Sequence, residues 1–314
     1  MSLTTKEFNP ASTIGVDLPC TLCDSENLRV LFKPGEAQEG GIVKCRECGL
    51  IFTNPRGRVE LDDYRAEGEK GWTLSDSCLE RAVTQLRDFR RVIERSVAHA
   101  PGGRVLEIGC NTGHLLHALK KRGMDCVGVE PNLWAARYAR EQLGIAIETA
   151  SMEEAEFEDN SFDVILVFHV IAHVTNPLTA LRKLYRCLKP GGLLIVESPR
   201  QDTLAFRLLG KRERNVVDSW RLYFFDRSTL PAIVEKSGFE IQNHEYPSRS
   251  VTMSRIWVNV GKMTHLHWLS RFGESIASSK INKRIAIPIN MRGLLRLYAQ
   301  KPLVAPNAAT ENSI

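Results

Sequence analysis

The sequence of 314 residues predicts an α/β protein with a doubly wound, mostly parallel sheet of seven strands, preceded by a small cysteine unit. Short apolar runs of strand length alternate with helical apolar patterns, which is typical of parallel sheets covered by helices. The run Val105–Ile108 ends at a glycine turn, and apolar residues at helical spacing follow from Leu115. Two Cys-x-x-Cys pairs lie within the first 50 residues.

The expected units follow one another along the chain. They are a flexible start over 1–17, a cysteine unit over 18–55, a connector and helix over 56–100, an α/β core over 101–245 and a basic segment over 246–314. Strands are expected at 104–109, 125–130, 145–149, 162–168, 192–197 and 239–245, and helices at 77–100, 113–122, 132–143, 177–187 and 228–237. The basic segment is predicted to supply a last, antiparallel strand near 294–302.

Two acids accompany the glycine turn. The turn carries the pattern Glu107-x-Gly109-x-Asn111-x-Gly113, and Glu130 ends the next predicted strand. A dinucleotide site would instead use three glycines and hold a pyrophosphate at the helix N-terminus. Glu107 would repel a pyrophosphate but suits a cofactor with an amino group, and Glu130 lies about where an acid accepts ribose hydroxyls. The pattern therefore favours S-adenosylmethionine (SAM) over a nicotinamide cofactor.

Five stretches in register resemble the class I SAM-dependent methyltransferases: VLEIGCNTG, VGVEPN, SFDVILVFHVIAHV, LKPGGLLIVESP and LYFFDRSTLPAIVEKSGFEI. The resemblance covers residues 100–245 and implies a Rossmann-like methyltransferase core. The resemblance also implies which residues hold the cofactor. The methionine end would be bound by Glu107, Gly109, Cys110 and Gly113. Glu130 would bind the ribose, and Ser151 and Met152 would flank the adenine.

The chain departs from the family pattern at a few positions. Asn111 stands where the middle glycine is usual, Ser151 replaces an aspartate, and Ala172 replaces a glutamate. Asparagine is the non-glycine residue that best tolerates a positive φ, so we expect the turn to form. The run His169-x-x-Ala172-His173 lacks the carboxylates with which some quinone-ring O-methyltransferases bind a metal, so no catalytic Mg²⁺ is expected.

Four cysteines have the spacing of a structural zinc site. Cys20-x2-Cys23 and Cys45-x2-Cys48 are separated by 21 residues, and Gly49 follows the second pair, as a knuckle turn favours. The alternative is two reduced redox or buried pairs. The unit resembles the zinc ribbon that precedes the methyltransferase core in several sugar-modifying members of the family. Four thiolates would close the site, so the zinc is expected to be structural.

Three residues are candidates for the chemistry. His169 and His173 follow the fourth predicted strand, at the carboxyl edge where α/β sheets bind ligands. His169 is a candidate general base for a hydroxyl acceptor, or else a residue of the pocket wall. His173 is a second candidate base, or else a structural partner of the nearby helix. Tyr223 lies in an aromatic cluster where the family commonly builds its acceptor pocket, or else belongs to the core.

Positive charge is concentrated near the C-terminus. The net charge is +5, and ten Lys and Arg residues stand against one acid between Arg249 and Lys301. Apolar residues recur every three or four positions over 256–272, which predicts an amphipathic helix. That helix would either pack as a lid or dock on an anionic surface, such as a membrane leaflet or a diphosphate-linked substrate. No RNA-binding pattern is present, so a nucleic-acid partner is not expected.

The composition also bears on the compartment. No apolar run reaches the roughly 18 residues that span a bilayer, and the first residues lack the apolar stretch of a secretory signal. Four of the eight cysteines are scattered singly, which fits a reducing compartment. The expectation is a cytoplasmic protein, with peripheral contact at the inner face of the membrane as a variant of it.

The sequence thus predicts a SAM-dependent methyltransferase with a structural zinc ribbon. The expected acceptor is a small molecule, either a sugar of a nucleotide- or lipid-linked saccharide or a natural-product intermediate. One alternative is an RNA or protein methyltransferase that uses the ribbon and the basic segment as grips. Another is a binding module whose methyltransferase fold has lost activity.

Overall fold

The structure is a computed structural model that describes residues 18–38, 40–55, 65, 86–213, 216, 221–264, 266–277, 279 and 286–303. Three predicted segments lie outside the described residues: the flexible start over 1–17, the connector apart from Arg65, and the first part of the helix predicted over 77–100.

The cysteine unit contains three short antiparallel strands, β1 (Leu28–Phe32), β2 (Ile42–Cys45) and β3 (Ile51–Thr53). So small a unit has few apolar residues with which to build a core of its own. Its buried side chains, among them Leu22, Leu50 and Phe52, instead join the main hydrophobic core of the protein. The unit therefore packs against the α/β domain.

The α/β domain alternates helices and strands along the chain. After α1 (Arg90–His99) come β4 (Arg104–Ile108), α2 (His114–Lys120), β5 (Asp125–Val129), α3 (Leu133–Leu143), β6 (Ala146–Glu148), β7 (Phe162–Phe168), α4 (Pro177–Cys187), β8 (Leu188–Pro199), α5 (Leu204–Leu209), the 3₁₀ turn Gly210–Arg212, β9 (Tyr223–Phe224), α6 (Thr229–Lys236) and β10 (Glu240–Glu245). The remaining elements are β11 (Arg249–Thr252), α7 (Met253–Thr264), α8 (His267–Ala277), β12 (Ala286–Ile289) and β13 (Leu294–Gln300).

Seven strands form the central sheet in the order β10-β13-β8-β7-β4-β5-β6. The pairs from β8 to β6 are parallel, whereas β13 runs antiparallel to both of its neighbours. The predicted doubly wound, mostly parallel sheet of seven strands is confirmed, and so is the antiparallel strand predicted near 294–302.

The strands are apolar on both faces because helices cover both sides of the sheet. Leu106 and Ile165 face one hydrophobic cluster, while their neighbours Val105 and Val164 face the other, as the two-residue period of a strand requires. Polar residues in these strands are therefore exceptions, and each needs a hydrogen-bond partner from the protein or from a ligand.

A strand from the α/β domain completes the sheet of the cysteine unit. β9 pairs antiparallel with β3, with Tyr223 opposite Phe52 and Phe224 opposite Ile51, to give the order β1-β2-β3-β9. The backbone N–H of Thr53 also donates to the carbonyl of Leu222 at 2.8 Å. The predicted boundary of the unit at residue 55 thus omits one strand that belongs to it.

Part of the basic segment folds as a helical hairpin of α7 and α8 rather than as the single amphipathic helix predicted over 256–272, so that prediction is wrong. α7 and α8 pack together, and a Cβ on Gly261 would lie 2.5 Å from the Ser270 amide nitrogen. A Cβ on Gly273 would lie 2.6 Å from the Ser254 carbonyl oxygen. Glycine therefore allows the two helix backbones to approach closely. Among the described residues, no helix combines the length and hydropathy needed to cross a bilayer.

We expect Gly261→Ala and Gly273→Ala to loosen this hairpin. The added methyl group would meet backbone atoms that cannot rotate away, which costs about 1–3 kcal/mol, or roughly a tenfold or greater change in local opening. Hydrogen exchange should therefore become faster in α7 and α8 while β4, β7 and β8 keep their protection. Gly293→Ala is the matched control, because nothing lies within 4 Å of its Cβ position. Unchanged exchange in both hairpin variants would contradict the close contact.

Candidate active site

The turn after β4 is held in left-handed backbone conformations. φ is 69° at Gly109, 49° at Asn111 and 72° at Gly113, which immediately precedes α2. The expectation that Asn111 tolerates a positive φ is confirmed, and its Oδ1 accepts a hydrogen bond from the Thr112 amide at 2.7 Å. A Cβ on Gly109 would lie 2.3 Å from Val170 Cγ2, so the turn packs directly against the segment that follows β7.

Glu107 is a buried acid with one oxygen that lacks a hydrogen-bond partner among the described residues. It is 6% exposed, and this oxygen is Oε2. Burial raises the pKa of Glu107 well above its usual range, and the nearby charge of Glu130 raises it further. A buried oxygen of this kind is unfavourable unless a ligand supplies a donor. The ammonium group of SAM would supply both N–H donors and a positive charge.

Glu130 has a different environment, because backbone amides contact both of its oxygens. Its Oε2 accepts from the Asn111 amide at 2.8 Å, and its Oε1 accepts from the Asn132 amide at 2.9 Å. Each carboxylate oxygen has a second lone pair, so these contacts leave acceptor capacity for ribose hydroxyls. Glu130 therefore ties the glycine turn to the end of β5, and its predicted role toward the ribose stays a prediction.

The other predicted cofactor residues surround this edge of the sheet. Burial raises the pKa of the Cys110 thiol well above its usual range, so the side chain is neutral and only the backbone of Cys110 suits contact with a cofactor. Ser151 and Glu154 cap each other's backbone: the Ser151 amide donates to Glu154 Oε2 at 2.9 Å, and the Glu154 amide donates to Ser151 Oγ at 3.2 Å. Met152 is buried beside them. The acceptors and the glycine turn together fit SAM.

His169 lies at the end of β7 in an unusual conformation. Its φ is 62°, a left-handed value that is costly for a residue other than glycine or asparagine and is often found at functional sites. Its Nε2 is 3.1 Å from Glu197 Oε1 and 3.4 Å from an Nη2 of Arg249. Its Nδ1 is buried and has no hydrogen-bond partner within the described part of the chain.

Glu197 belongs to a buried ionic network that spans three strands. The Nε and Nη2 of Arg296 are 2.7 and 2.6 Å from Glu197 Oε2, and Nη1 is 2.8 Å from Glu245 Oε1. Tyr298 Oη also donates to Glu245, at 2.7 Å. Burial would raise the pKa of Glu197, but His169 and Arg296 outweigh burial and lower it to about 2. Glu197 is thus an ionised carboxylate beside the His169 ring.

Sequence reasoning missed this network, although a signal for it is present. Glu197 is the one acid in the apolar strand LLIVESP, and Arg296 is the one cation in the apolar strand LLRLYAQ. An unpaired buried charge is very unfavourable, so an acid and a cation that are each isolated in a buried strand are expected to form an ion pair. The register of β8 with β13, which sets Glu197 directly opposite Arg296, supplies the pairing.

The other two catalytic candidates occupy different positions. His173 is half-buried in the turn after β7, where its amide donates to the Val170 carbonyl at 2.8 Å. Tyr223 is fully buried at the junction with the cysteine unit. Its hydroxyl donates to the Thr175 carbonyl at 3.1 Å and lies 2.9 Å from Thr21 Oγ1. A role for Tyr223 in chemistry would require its hydroxyl to leave both partners, so this placement gives that prediction no support.

The four predicted metal ligands meet at one point. All their sulfur atoms lie within 4.8 Å of one another, with 3.4 Å between Cys20 and Cys48 and 3.5 Å between Cys23 and Cys45. A tetrahedral zinc with Zn–S bonds of about 2.3 Å sets its sulfurs about 3.8 Å apart, so the cluster fits the ion.

The thiols of this cluster differ in acidity. Burial raises the pKa of Cys20 to about 11. At Cys45 burial also acts to raise the pKa, but hydrogen bonds from the Cys48 and Glu47 amides, together with neighbouring thiols, lower it to about 7. Zinc binding must therefore displace protons, as is usual for thiolate sites.

We expect freshly purified, reduced protein to contain one zinc ion per chain by elemental analysis. Cys20→Ser or Cys48→Ser should lose the ion and loosen the cysteine unit, because much of the folding energy of a small zinc module comes from its metal. Cys187→Ser, which alters a buried cysteine outside the cluster, should keep the metal. Wild-type protein without zinc would contradict the prediction.

We expect Glu107→Gln to weaken SAM binding about tenfold or more, because a charged hydrogen bond contributes about 1.5–3 kcal/mol. Since its pKa is raised in the free protein, Glu107 must lose a proton when an ammonium group binds beside it. SAM affinity should therefore increase with pH until Glu107 is ionised in the free protein. Calorimetry in two buffers of different ionisation enthalpy measures the released proton. Glu107→Gln should abolish the release, whereas exposed Glu141→Gln should not; equal release from both variants would contradict this role.

Comparison with known proteins agrees with this geometry. Residues 80–244 match the family described as Methyltransferase domain. A ubiquinone biosynthesis O-methyltransferase from Bradyrhizobium diazoefficiens is 32% identical over 189 residues, which are 58% of this chain and 71% of the relative. A demethylmenaquinone methyltransferase from Renibacterium salmoninarum is 26% identical over 198 residues, which are 63% of this chain and 77% of the relative.

A solved structure shares the fold. One chain of the complex between the Haloferax volcanii Trm112 methyltransferase activator and a methyltransferase superposes with a TM-score of 0.51 at 15% identity, covering 79% of this chain and all of that one. The matched family, the seven-stranded sheet and the acid-flanked glycine turn lead to one conclusion. This chain belongs to the methyltransferase-domain family and is a SAM-dependent methyltransferase.

Proposed function

We propose that the protein transfers a methyl group from SAM to a hydroxyl group of a small-molecule acceptor, with His169 as the general base. The observation that carries this proposal is the contact of 3.1 Å between His169 Nε2 and the ionised Glu197, at the edge of the sheet next to the glycine turn. The Bradyrhizobium relative is named an O-methyltransferase, which supports an oxygen acceptor.

The chain has residues suited to holding both reactants. Bound SAM supplies an electrophilic methyl group on a sulfonium centre. Glu107, the backbone of the Gly109–Gly113 turn and Glu130 would hold the cofactor. Val170, which contacts the Gly109 position, follows His169 directly in sequence, so the base and the cofactor turn are neighbours. Methyl transfer by in-line displacement gains chiefly from such positioning.

Glu197 determines which nitrogen of His169 can accept a proton. An ionised carboxylate next to Nε2 favours the tautomer with hydrogen on Nε2, which donates to Glu197 Oε1. Nδ1 then carries the free lone pair. Because this atom is buried, the turn after β7 must open around it when the acceptor binds. Nδ1 then removes the proton of the acceptor hydroxyl as the oxygen attacks the methyl group and S-adenosylhomocysteine leaves. The imidazolium formed in this way is stabilised by Glu197, whose own position is fixed by Arg296.

The acceptor proposed is a sugar of a nucleotide- or lipid-linked saccharide, or a natural-product intermediate. The likeness of the cysteine unit to the zinc ribbons of sugar-modifying methyltransferases supports the sugar. Exposed apolar side chains on α8, Trp268 at 64% and Phe272 at 47%, support a lipid-linked form met by peripheral contact with a membrane.

We expect His169→Ala to lower kcat by about 10²–10⁴-fold, the usual contribution of a general base. The assay uses methyl-labelled SAM with panels of nucleotide-linked sugars, lipid-linked saccharides and phenolic natural products. The shift in melting temperature on adding S-adenosylhomocysteine should stay as in the wild type, because His169 does not hold the cofactor. Glu197→Gln should also lower kcat and should alter its pH profile, since the His169 ring loses its charged partner.

Exposed His244→Gln is the matched control and should retain wild-type activity. Label that appears in RNA or protein rather than in small molecules would favour a macromolecular acceptor. Full activity of His169→Ala would overturn the assignment of the base.

A further inference from the structure

A cavity of about 250 Å³ lies beside the end of β8 and the start of β13. Three of its eight lining residues are arginines, Arg200, Arg227 and Arg292, and the lining also includes the Tyr246 ring and a single acid, Asp202. Leu204 and Met291 form part of its wall and are 69% and 80% exposed. We call this site the arginine cavity. It is smaller than most pockets that enclose a whole ligand, so it suits one group of a larger molecule.

Arg200 forms an ion pair with Asp202, the one acid that lines the cavity, and so neutralises its charge. Arg200 Nε and Nη2 are 2.9 and 2.8 Å from the two oxygens of Asp202, and its Nη1 donates to the Arg292 carbonyl at 3.0 Å. The Arg200 guanidinium also lies 4.7 Å from the centre of the Tyr246 ring. Asp202 thus forms a bidentate ion pair with Arg200. The charge that remains in the cavity is positive.

The other two arginines keep donors for a ligand. Arg227 contacts Asp202 only through Nε, at 3.3 Å, and its side chain is 72% exposed. Arg292 has no acidic partner within the described residues; its guanidinium lies 5.9 Å from the centre of the Tyr246 ring. Two planar guanidinium groups on one small cavity are well suited to the oxygens of a phosphate group, which accept paired N–H donors.

Two chain segments connect this cavity to the proposed base. Tyr246 lines the cavity, and Arg249, three residues later, contacts His169 Nε2. Arg200 of the cavity comes directly after β8, three residues beyond Glu197, and Glu197 contacts the same ring. Three residues of extended chain span at most about 11 Å. A molecule of moderate size could therefore reach His169 with one end and the cavity with the other.

We propose that the arginine cavity binds a phosphate or diphosphate group of the acceptor while the acceptor hydroxyl lies at His169. This inference rests on the proposed function and specifies its substrate class. Arg227 and Arg292 contact the phosphate oxygens, and Arg200 together with Asp202 keeps the cavity in shape. A nucleotide-linked or a lipid-linked acceptor can supply the group; the exposed Leu204 and Met291 offer an apolar surface for a lipid chain.

Inorganic pyrophosphate is the probe for this site, titrated into the full-length protein by calorimetry. The double variant Arg227→Gln, Arg292→Gln should bind pyrophosphate at least about tenfold more weakly, because charge-assisted hydrogen bonds are lost. The matched control is Arg29→Gln, Arg46→Gln, which removes two arginines from another basic cavity, on the cysteine unit. It should leave the affinity unchanged. The binding should also weaken with added salt.

Two further ligands identify the source of the phosphate. Tighter binding of farnesyl diphosphate than of pyrophosphate, lost in Leu204→Ser, Met291→Ser, would assign a lipid-linked acceptor. Tighter binding of UDP would assign a nucleotide-linked one. Absence of pyrophosphate binding, or equal binding by the wild type and the Arg227, Arg292 variant, would overturn the arginine cavity as a phosphate site. The proposed function fails differently, through loss of S-adenosylhomocysteine binding or full activity of His169→Ala.

Discussion

The ion pair between Glu197 and Arg296 lies inside the sheet, where both charges are removed from water. Such a pair is tolerated only when nearly every donor and acceptor has a partner, and removing one member typically costs about 3–5 kcal/mol. Arg296 meets this condition through Glu197 and Glu245, and the rings of Phe89 and Phe168 lie about its guanidinium at 5.5 and 5.6 Å. The pair thereby links β8 to β13 and, through Glu245, to β10, and its carboxylate also contacts the histidine that follows β7.

Glu107 and Glu130 are two buried acids near the glycine turn, and their surroundings differ. Each oxygen of Glu130 accepts a hydrogen bond from one backbone amide, so this carboxylate helps to hold the turn and keeps a second lone pair on each oxygen. Glu107 lies in the neighbouring strand, and within the described residues one of its oxygens has no such donor. The two carboxylates thus differ in their surroundings: backbone amides contact both oxygens of Glu130, whereas one oxygen of Glu107 lacks a hydrogen-bond donor within the described residues.

Much of the fold follows from local patterns in the sequence. Apolar runs bounded by glycine identify the parallel strands, and the positive φ of Asn111 follows from its place between two glycines. The helical hairpin was missed because apolar spacing of three or four continues across the break between α7 and α8. Contacts that depend on tertiary register are harder to predict, because an isolated charge in a buried strand shows that a partner is needed but not which residue it is. Glu197 and Arg296 are 99 residues apart, and only the insertion of β13 beside β8 brings them together.

The role of Tyr223 could not be predicted for a related reason. A strand of two residues leaves no periodic signal, and its partner strand lies in a different unit of the chain. Aromatic residues near a sheet edge fit an acceptor pocket and a packed junction equally well at the level of sequence. Burial of the hydroxyl between Thr21 and Thr175 is a property of the assembled fold alone.

The pairing of β9 with β3 connects the cysteine unit to the turn that follows β7 through a few backbone hydrogen bonds. The amides of Leu222 and Tyr223, at the start of β9, both donate to the carbonyl of Ala172, at 2.9 and 3.0 Å. Ala172 is three residues beyond His169, in the turn that this histidine begins. Loss of the predicted zinc, or oxidation of the four thiols, would loosen β3 and β9 and with them the turn that begins at His169. The proposed methyl transfer would then become slower although the cysteines take no part in the reaction.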